Sequence, residues 1–287
     1  MRGYVVITPA RNEARNIERT VDSIMEQTYA PRRWIVVDDG SSDATSAIVE
    51  RRTKDVPWVD LVVRSDRGHR SAGTGVMEAF HEGRARVQET DWEFIVKLDA
   101  DLEFASDYFE RCLGEFASDP KLGIAGGKVY DVDANRVVHD PHPAFHVRGA
   151  TKIYRRACWE DIGGLLVGPG WDTLDEVKAN QLGWSTRTIV DVPIYQLRPT
   201  GSAAGSWPNW VKNGVAAYRS GYHPAFVAVR AARRLLQPPS VVAPAGLLWG
   251  YAKSWLSRSG RIDDPDLVRY VRQQQWNRLT GRESMWR

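Results

Sequence analysis

Short apolar runs alternate with helical patterns over the first hundred residues of the chain. The apolar runs occupy residues 4–7, 34–37, 61–63 and 94–96. Residues 12–27 and 73–87 instead repeat apolar side chains at the spacing of an α-helix. This alternation predicts an α/β fold with a mostly parallel sheet that helices cover on both faces.

Polar residues directly follow three of the four predicted strands. They are Asp38 and Asp39 after the second strand, Asp66 and Arg67 after the third, and Asp99 and Asp101 after the fourth. Ligands of largely parallel sheets bind beyond the carboxyl ends of the strands. We therefore expect these side chains to lie at a common ligand site.

The Asp99-Ala100-Asp101 triplet carries the clearest chemistry. Two carboxylates one residue apart can bind one hard cation, and oxygen ligands select Mg²⁺ or Mn²⁺ over zinc. Such an ion can clamp a diphosphate and neutralise charge on a departing nucleotide. A solvated turn with two acidic residues is the alternative, but the apolar strand before the triplet and the acidic end of the second strand favour a site.

The run Asp-Asp-Gly-Ser-Ser that begins at Asp38 predicts a tight turn before a helix. We expect Asp38 to stabilise this turn and Asp39, one residue further out, to accept the N–H of a nucleotide base. Arg11, Arg67 and Arg70 are candidate contacts for the base or the phosphates, although surface arginines are often only solvated.

Three motifs follow one another along this part of the chain. They are Val-Ile-Thr-Pro-Ala-Arg-Asn-Glu at residues 6–13, Ile-Val-Val-Asp-Asp-Gly-Ser-Ser-Asp at residues 35–43 and Leu-Asp-Ala-Asp at residues 98–101. Their order and intervals resemble those of the family 2 glycosyltransferases of GT-A fold, and the resemblance extends over residues 4–200. It implies a Rossmann-like sheet and the inverting transfer of a sugar from a nucleoside diphosphate, with Mg²⁺ or Mn²⁺.

The resemblance also implies a role for individual residues. The expected contacts are Pro9, Arg11 and Glu13 with the nucleoside, Asp39 with the base, Asp101 with the metal ion, Asp99 with the ribose or donor sugar, and Gly149 with the donor sugar. Asp99 is a second candidate metal ligand, because it shares the acidic triplet with Asp101.

An inverting transfer needs an acceptor hydroxyl that a carboxylate base assists, and the family places that base at the start of a helix. Residues 170–176, Gly-Trp-Asp-Thr-Leu-Asp-Glu, offer three carboxylates in little more than one turn. By the resemblance the base is Asp172, where Trp171 replaces the usual glutamate. Asp175 and Glu176 remain alternatives, and Asp172 can also cap the helix.

Gln196 stands where many relatives have a metal-binding histidine. A glutamine amide oxygen can ligate Mg²⁺ or Mn²⁺, so Gln196 is a candidate metal ligand; alternatively, it only ends a strand. His139, His142 and His146 stand in a predicted loop, where they could contact the acceptor or the donor or simply lie on the surface.

The last part of the chain differs in charge from the rest. Residues 206–287 contain 13 lysines and arginines against 4 acidic residues, whereas the remainder contains 26 against 32. Six of the twelve tryptophans also lie there, and the apolar run at residues 241–251 is shorter than the roughly 20 residues of a membrane-spanning helix. These features favour helices that lie on an anionic membrane surface. The alternative is that the helices pack on the rest of the protein with solvated arginines.

The chain is accordingly expected to have two parts. They are a catalytic domain at residues 1–205, with a nucleotide-binding part at 1–122 and an acceptor-binding part at 123–205, and a basic helical segment at 206–287. Cys112 and Cys158 lack the spacing of a metal site, which favours a reducing compartment. No signal-peptide pattern precedes the first strand. We expect a cytoplasmic protein at the inner face of a membrane.

The expected function is transfer of a sugar from a UDP- or GDP-sugar to a glycan or polyprenyl-linked acceptor. A nucleotidyltransferase would share the sheet and the metal, but it normally has a glycine-rich phosphate loop where this chain has Pro9-Ala10-Arg11-Asn12. A membrane-bound scaffold that has lost turnover is a third hypothesis, because Trp171 and Gln196 depart from the family pattern. Nucleic-acid binding is not expected, since no recognised motif accompanies the basic segment.

Overall fold

The computed structural model describes most of the chain. The described residues are 3–66, 74–133, 136–138, 142–166, 168, 170–198, 205–236 and 241–286. The strands are β1 (Gly3–Ala10), β2 (Arg33–Asp38), β3 (Val59–Val63), β4 (Trp92–Leu98), β5 (Leu102–Phe104), β6 (Leu122–Asp133), β7 (Arg136–Val138), β8 (Thr151–Arg155) and β9 (Ser185–Gln196). The helices are α1 (Ile17–Met25), α2 (Thr45–Thr53), α3 (Thr74–Ala85), α4 (Tyr108–Ser118), α5 (Arg156–Ile162), α6 (Trp171–Gln181), α7 (Ser206–Arg219), α8 (Pro224–Arg234), α9 (Val242–Leu256) and α10 (Pro265–Leu279).

The nine described strands form one sheet in the order β3-β2-β1-β4-β8-β6-β9-β5, with β7 beside β6. The first four strands of this order are parallel, as the alternation of strands and helices predicts. Beyond β4 the sheet is mixed, because β8 is antiparallel to both β4 and β6. A parallel arrangement of β6 and β8 would need a long crossover connection, which is usually a helix. The described residues between β7 and β8 form no helix. The prediction of an α/β fold is confirmed.

The sheet has a hydrophobic core on each face. Every residue of β1 is buried, and successive side chains of a strand point to opposite faces. On one face Val6 lies in a cluster with Ile17 and Phe109 from the helices α1 and α4. On the other face Val5 lies in a cluster with Phe80 of α3. This two-sided burial explains why the strands read as continuous apolar runs.

The C-terminal helices share a third core with α6. Leu174 and Val177 of α6 lie in one buried cluster with residues from each of the last four helices. Those residues are Ala217 of α7, Val227 of α8, Leu247 of α9 and Leu267 of α10. The basic segment therefore packs on the rest of the protein along its buried faces.

The helices α7 and α9 touch through their backbones. A Cβ atom on Gly214 of α7 would lie 2.2 Å from the carbonyl oxygen of Leu247, and one on Gly250 of α9 would lie 2.1 Å from that of Val211. No side chain fits at either position, so the two glycines allow this close packing. None of the helices in the described ranges is long and apolar enough to cross a membrane.

Candidate active site

The loop after β1 is tied to the loop after β2. Asn12 accepts a hydrogen bond from the backbone N–H of Ser42 at 2.8 Å and donates its own N–H to the Ser41 hydroxyl at 2.9 Å. Asn12 has a φ of 54°, which is not helical. The helix α1 consequently begins at Ile17, later than the periodicity of residues 12–27 predicts. These bonds hold the two loops together at one edge of the sheet.

Asp38 and Asp39 have different environments at the end of β2. Asp38 accepts the N–H of Ser41 at 2.8 Å, which is the turn-stabilising role that the sequence predicts. Asp39 is buried, and its Oδ1 pairs with Arg64 Nη1 at 2.5 Å. Arg11 donates to the backbone oxygen of Asp39. The structure thus brings the predicted residues Arg11 and Asp39 together and adds Arg64, which the sequence did not indicate.

The turn after β2 is in close contact with Asp66, which lies in the first part of the loop after β3. Gly40 has a φ of +74°, and a Cβ atom there would lie 2.5 Å from the Cα of Asp66. Only glycine fits this conformation and this space. Arg11 Nη2 also pairs with Asp66 Oδ1 at 2.7 Å. The other predicted arginines, Arg67 and Arg70, lie outside the described residues.

Asp99 is held by a buried lysine. Lys97 of β4 has a side chain that is only 2% exposed, and its ammonium donates to Asp99 Oδ1 and to the carbonyl oxygen of Gly149. Burying an unpaired ammonium would be costly. The Lys97 ammonium therefore holds Asp99 and Gly149 in place as its hydrogen-bond acceptors. The same ammonium lies 5.4 Å from the ring centre of Trp171.

Asp101 lies among both negative and positive groups. Its Oδ2 accepts from Gln196 Nε2 at 3.4 Å and lies 3.6 Å from Arg198 Nη2, which also pairs with Glu13. Burial raises the pKa of Asp101 to about 7, and the negative charges of Asp99 and Glu13 add to the rise while Arg198 opposes it. Glu13 of the first motif and Asp101 of the third therefore lie around the same arginine.

Gln196 contacts the acidic cluster through its amide nitrogen. Its amide oxygen accepts from Arg148 Nη2 at 3.0 Å, and Arg148 pairs with Asp131, also at 3.0 Å. The atom that would ligate a metal ion is thus already bonded to a cation. In this arrangement Gln196 positions Asp101, and the geometry does not favour Gln196 as a metal ligand.

The two triplet carboxylates fit a hard cation. Asp99 Oδ2 and Asp101 Oδ1 accept no hydrogen bond from any residue in the described part of the chain. Two such oxygens suit an ion whose remaining ligands are phosphate or water oxygens. Among the described residues no group of three or more His, Cys, Asp or Glu side chains could hold a metal ion by itself.

Asp172 is next to Gly149 at the start of α6. A Cβ atom on Gly149 would lie 3.3 Å from Asp172 Cβ. The carboxylate of Asp172 is half-buried, and it forms no hydrogen bond or ion pair with any residue that the structure describes. Because Gly149 also binds Lys97, a short chain of contacts joins Asp172 to Asp99.

Asp175 and Glu176 have a different environment from Asp172. Both are fully buried, and Lys152 Nζ lies 3.0 Å from Asp175 Oδ1 and 2.7 Å from Glu176 Oε1. Asp175 also accepts from the Tyr154 hydroxyl at 2.5 Å, and Glu176 accepts from the backbone N–H of Val147 at 2.7 Å. Burial raises the pKa of Asp175 to about 6 although Lys152 opposes the rise. These two carboxylates are bonded inside the protein, and neither of them lines the cavity beside Asp172.

A cavity of about 260 Å³ opens beside Asp172. Its walls come from α6, from the loop before β8 and from the C-terminal helices. Its charged lining residues are His146, Asp172, Lys212 and Arg230. Of the three predicted base candidates, Asp172 is therefore the one whose carboxylate borders an open space.

Two lysines of the site, Lys97 and Lys152, have a recognisable signal in the sequence. Lys97 and Lys152 each interrupt an apolar strand, and a charged residue in a buried strand is almost always paired. Arg198 and Lys212 had no such signal, because their partners and cavity come from segments far apart in the chain.

Comparison with solved structures identifies the fold class. Over 99% of this chain and 76% of the other, the fold resembles a mannosyltransferase of Pyrobaculum calidifontis in complex with GDP-Man and Mn²⁺, with a TM-score of 0.55 and 20% identity. Residues 1–349 of Staphylococcus aureus TarS, in complex with UDP-GlcNAc, match 97% of this chain over 80% of their own length, with a TM-score of 0.54 and 17% identity. The fold is that of the GT-A glycosyltransferases.

The sequence comparison then identifies the family. The model of the family described as "Glycosyl transferase family 2" matches residues 5–165, and the chain belongs to this family. A poly-beta-1,6-N-acetyl-D-glucosamine synthase of Staphylococcus epidermidis is 27% identical over 129 residues, which is 44% of this chain and 28% of that protein. The aligned region is thus a little more than a quarter of the length of that relative. The prediction of a family 2 glycosyltransferase domain of GT-A fold is confirmed.

Proposed function

We propose that this chain transfers a sugar from a nucleoside-diphosphate sugar to an acceptor hydroxyl with inversion, and that Asp172 is the catalytic base. One observation carries the assignment of the base: Asp172 alone among the three candidate carboxylates borders the cavity and has no partner within the described residues. Lys152 forms ion pairs with both Asp175 and Glu176. We assign to these two carboxylates a positioning role near the start of α6.

The donor site is proposed at the ends of β1, β2 and β4. Asp39 would bind the base, while Pro9, Arg11 and Glu13 would line the nucleoside and Gly149 the donor sugar. Arg67 and Arg70 stay candidates from the sequence alone. The hydrogen-bonded loops after β1 and β2 support this placement, as do fold relatives solved with GDP-Man and UDP-GlcNAc. The donor is a UDP- or GDP-sugar on this proposal.

The proposed cofactor is Mn²⁺ or Mg²⁺, held by Asp101 and Asp99 through the oxygens that have no described partner. When bound, the ion would supply positive charge to the diphosphate. Gln196, a third candidate from the sequence, would orient Asp101 instead. Lys97 would keep Asp99 in place, because its buried ammonium binds both Asp99 and Gly149.

In the proposed reaction Asp172 accepts the proton of the acceptor hydroxyl as its oxygen bonds to the anomeric carbon. The bond from that carbon to the diphosphate breaks on the opposite side, so the configuration inverts and the nucleoside diphosphate leaves. The acceptor would reach Asp172 through the adjoining cavity. A glycan or a polyprenyl-linked sugar can supply such a hydroxyl.

The exposed apolar residues of the C-terminal helices support a membrane contact. They include Leu235, Leu236, Val241, Leu248, Trp249, Trp255 and Leu256. Trp255 and Leu256 border one open groove with Arg258 and Arg261. Exposed tryptophan and leucine beside arginine fit the interface of an anionic bilayer. We propose that residues 206–287 bind the inner face of a membrane while residues 1–205 carry the donor site and the base Asp172.

The central experiment compares Asp172→Asn with Asp101→Asn. We expect Asp172→Asn to lower the transfer rate by about 10²–10⁴-fold, because the general base is lost, and to leave donor binding unchanged. Asp101→Asn should weaken both the binding of the nucleotide and its enhancement by Mn²⁺. Donor binding is measured by calorimetry with UDP- and GDP-sugars, and transfer by release of the nucleoside diphosphate.

Asp55→Asn is the matched control, because Asp55 is an exposed aspartate whose only described ion pair, with Lys54, is on the surface. It should change neither quantity. Full activity in Asp172→Asn would move the base to Asp175 or Glu176. Donor binding without turnover in the unaltered protein would favour the scaffold hypothesis instead.

The membrane proposal is tested with vesicles. Leu236→Glu combined with Trp255→Glu should reduce partitioning onto anionic phosphatidylglycerol vesicles, because the change removes apolar surface and adds negative charge. Val190→Glu combined with Val137→Glu adds the same charge at exposed apolar positions of β9 and β7 and serves as the control. Equal partitioning of all three proteins would contradict the proposal.

A further inference from the structure

The cavity beside Asp172 has more positive charge than the proposed reaction requires. Lys212 of α7 and Arg230 of α8 line it opposite the N-terminal end of α6. Neither side chain forms an ion pair with another residue in the ranges that the structure describes. Asp172, the one carboxylate on the lining, lies beyond ion-pair distance of both cations, and neutral sugar hydroxyls need no cation for recognition.

The buried carboxylates behind the cavity have partners in their own layer. Lys152 faces Asp175 and Glu176, and His146 Nδ1 lies 2.9 Å from Glu176 Oε2. Burial disfavours the charged form of His146, but the carboxylates of Glu176 and Asp172 raise its pKa above the usual value. Asp175 and Glu176 are therefore bonded to Lys152 and His146 within this layer. Neither carboxylate forms an ion pair with Lys212 or Arg230.

We propose that the acceptor carries an anionic group, a phosphate or a carboxylate, that binds Lys212 and Arg230 while its hydroxyl lies at Asp172. This inference rests on the proposed function, because it takes the cavity as the acceptor site. A guanidinium and an ammonium are the usual donors to such oxyanions. The position of the two cations on the C-terminal helices also gives those helices a part in choosing the acceptor.

The first test uses a pair of probes that differ in charge and by one methyl group. Methyl glucuronide carries a carboxylate, and its methyl ester is neutral. Binding is measured with a saturating nucleoside diphosphate present, so that the donor site is filled. We expect the anionic probe to bind more tightly than the ester, and the Lys212→Ala/Arg230→Ala protein to lose roughly tenfold or more in affinity for the anionic probe alone.

Arg233→Ala is the matched control, because Arg233 is exposed on α8 and does not line the cavity. It should leave the affinity for both probes unchanged. Arg230→Gln, which keeps most of the side-chain volume, should repeat the loss with an unchanged unfolding temperature. Equal binding of the acid and the ester, or full affinity in the double variant, would overturn the proposal.

A second measurement locates the bound anion. The ring protons of His146, assigned by His146→Gln, should shift in the NMR spectrum when the anionic probe binds, because the ring borders the same cavity.

A polyprenyl phosphate in detergent micelles replaces methyl glucuronide in a parallel binding experiment. When the acid binds more tightly than the ester, the tighter of the two anionic probes identifies the source of the anion, and its affinity should also fall in the double variant.

The outcome also separates this inference from the proposed function. If the double variant loses nucleoside-diphosphate binding as strongly as Asp101→Asn does, the two cations belong to the donor site and the inference is wrong. If Asp172→Asn retains transfer while anion binding still depends on Lys212 and Arg230, the base assignment fails and the anionic site stands.

Discussion

Two clusters of carboxylates lie on either side of Gly149, and they differ in how completely they are neutralised. At the strand ends, Asp99 and Asp101 each keep one oxygen without a described partner. Inside α6, Asp175 and Glu176 are fully buried and bonded to Lys152. A carboxylate with a remaining oxygen can bind a ligand, whereas a saturated one supports the fold. Asp172 lies on the same helix as Asp175 and Glu176. It nevertheless resembles Asp99 and Asp101, because its carboxylate can still bind a ligand.

Each cluster contains one buried lysine, and the two lysines offer the sharpest test of this comparison. Lys152→Met should destabilise the fold by about 3–5 kcal/mol, because it leaves two buried carboxylates without their cation. Lys97→Met should cost less, about 1–2 kcal/mol, since Asp99 is 28% exposed and can be solvated. The free energy of unfolding from urea titrations measures both effects.

Lys97→Met should in addition weaken donor binding, because it releases Asp99 and Gly149 at the proposed site. Lys152→Met acts on the fold, so its remaining folded protein should bind the donor normally. Equal destabilisation by the two substitutions would show that the clusters do not differ in the way we describe.

The carboxylates of α6 allow the same comparison within one helix. Asp175→Asn should destabilise the fold by about 1–3 kcal/mol, because Lys152 loses a charged, buried partner. Asp172→Asn should change the free energy of unfolding by about 0.5 kcal/mol or less, since the half-buried Asp172 has no described partner to lose. Thermal unfolding followed by circular dichroism distinguishes the two. A larger loss in Asp172→Asn would make Asp172 structural.

The smallest expected effect concerns pH. The pKa of His146 is raised in the folded protein, so its proton contributes stability that is fully present below about pH 6.5 and is lost as the pH rises through the folded-state pKa. The charged groups around it are Asp172 and Glu176 of α6, Lys152 of β8, Lys212 of α7 and Arg230 of α8. His146→Gln should flatten this part of the pH profile of unfolding.

Asp175 titrates in a lower window, because its pKa rises from 3.8 to about 6. Asp101, with a pKa of about 7, also titrates above pH 6.5, so the difference between the unaltered protein and His146→Gln reports on His146. The unfolding free energy is measured between about pH 6 and 9. An unchanged slope in His146→Gln would mean that the His146 proton does not help to neutralise Glu176.

Much of the fold was predictable from local patterns. Apolar runs separated by helical periodicity are short-range signals, and they located β1 to β4 and the helices between them. The start of α1 was predicted too early, because Asn12 is used by a hydrogen bond to a loop thirty residues away. The mixed second half of the sheet was not predicted, since strand order there depends on connections without regular periodicity.

The candidate site, like the fold, was predictable from the sequence only in part. The sequence by itself determined the acidic strand ends at Asp39, Asp99 and Asp101 and the three carboxylates at the start of α6, because these are patterns of neighbouring residues. Only the tertiary structure decided that Lys152 saturates Asp175 and Glu176, and that the amide oxygen of Gln196 is bonded to Arg148. It also packed the basic helices on α6 and so created the cavity. The physical reason is that burial and charge pairing join residues distant in the chain, and no local pattern records them.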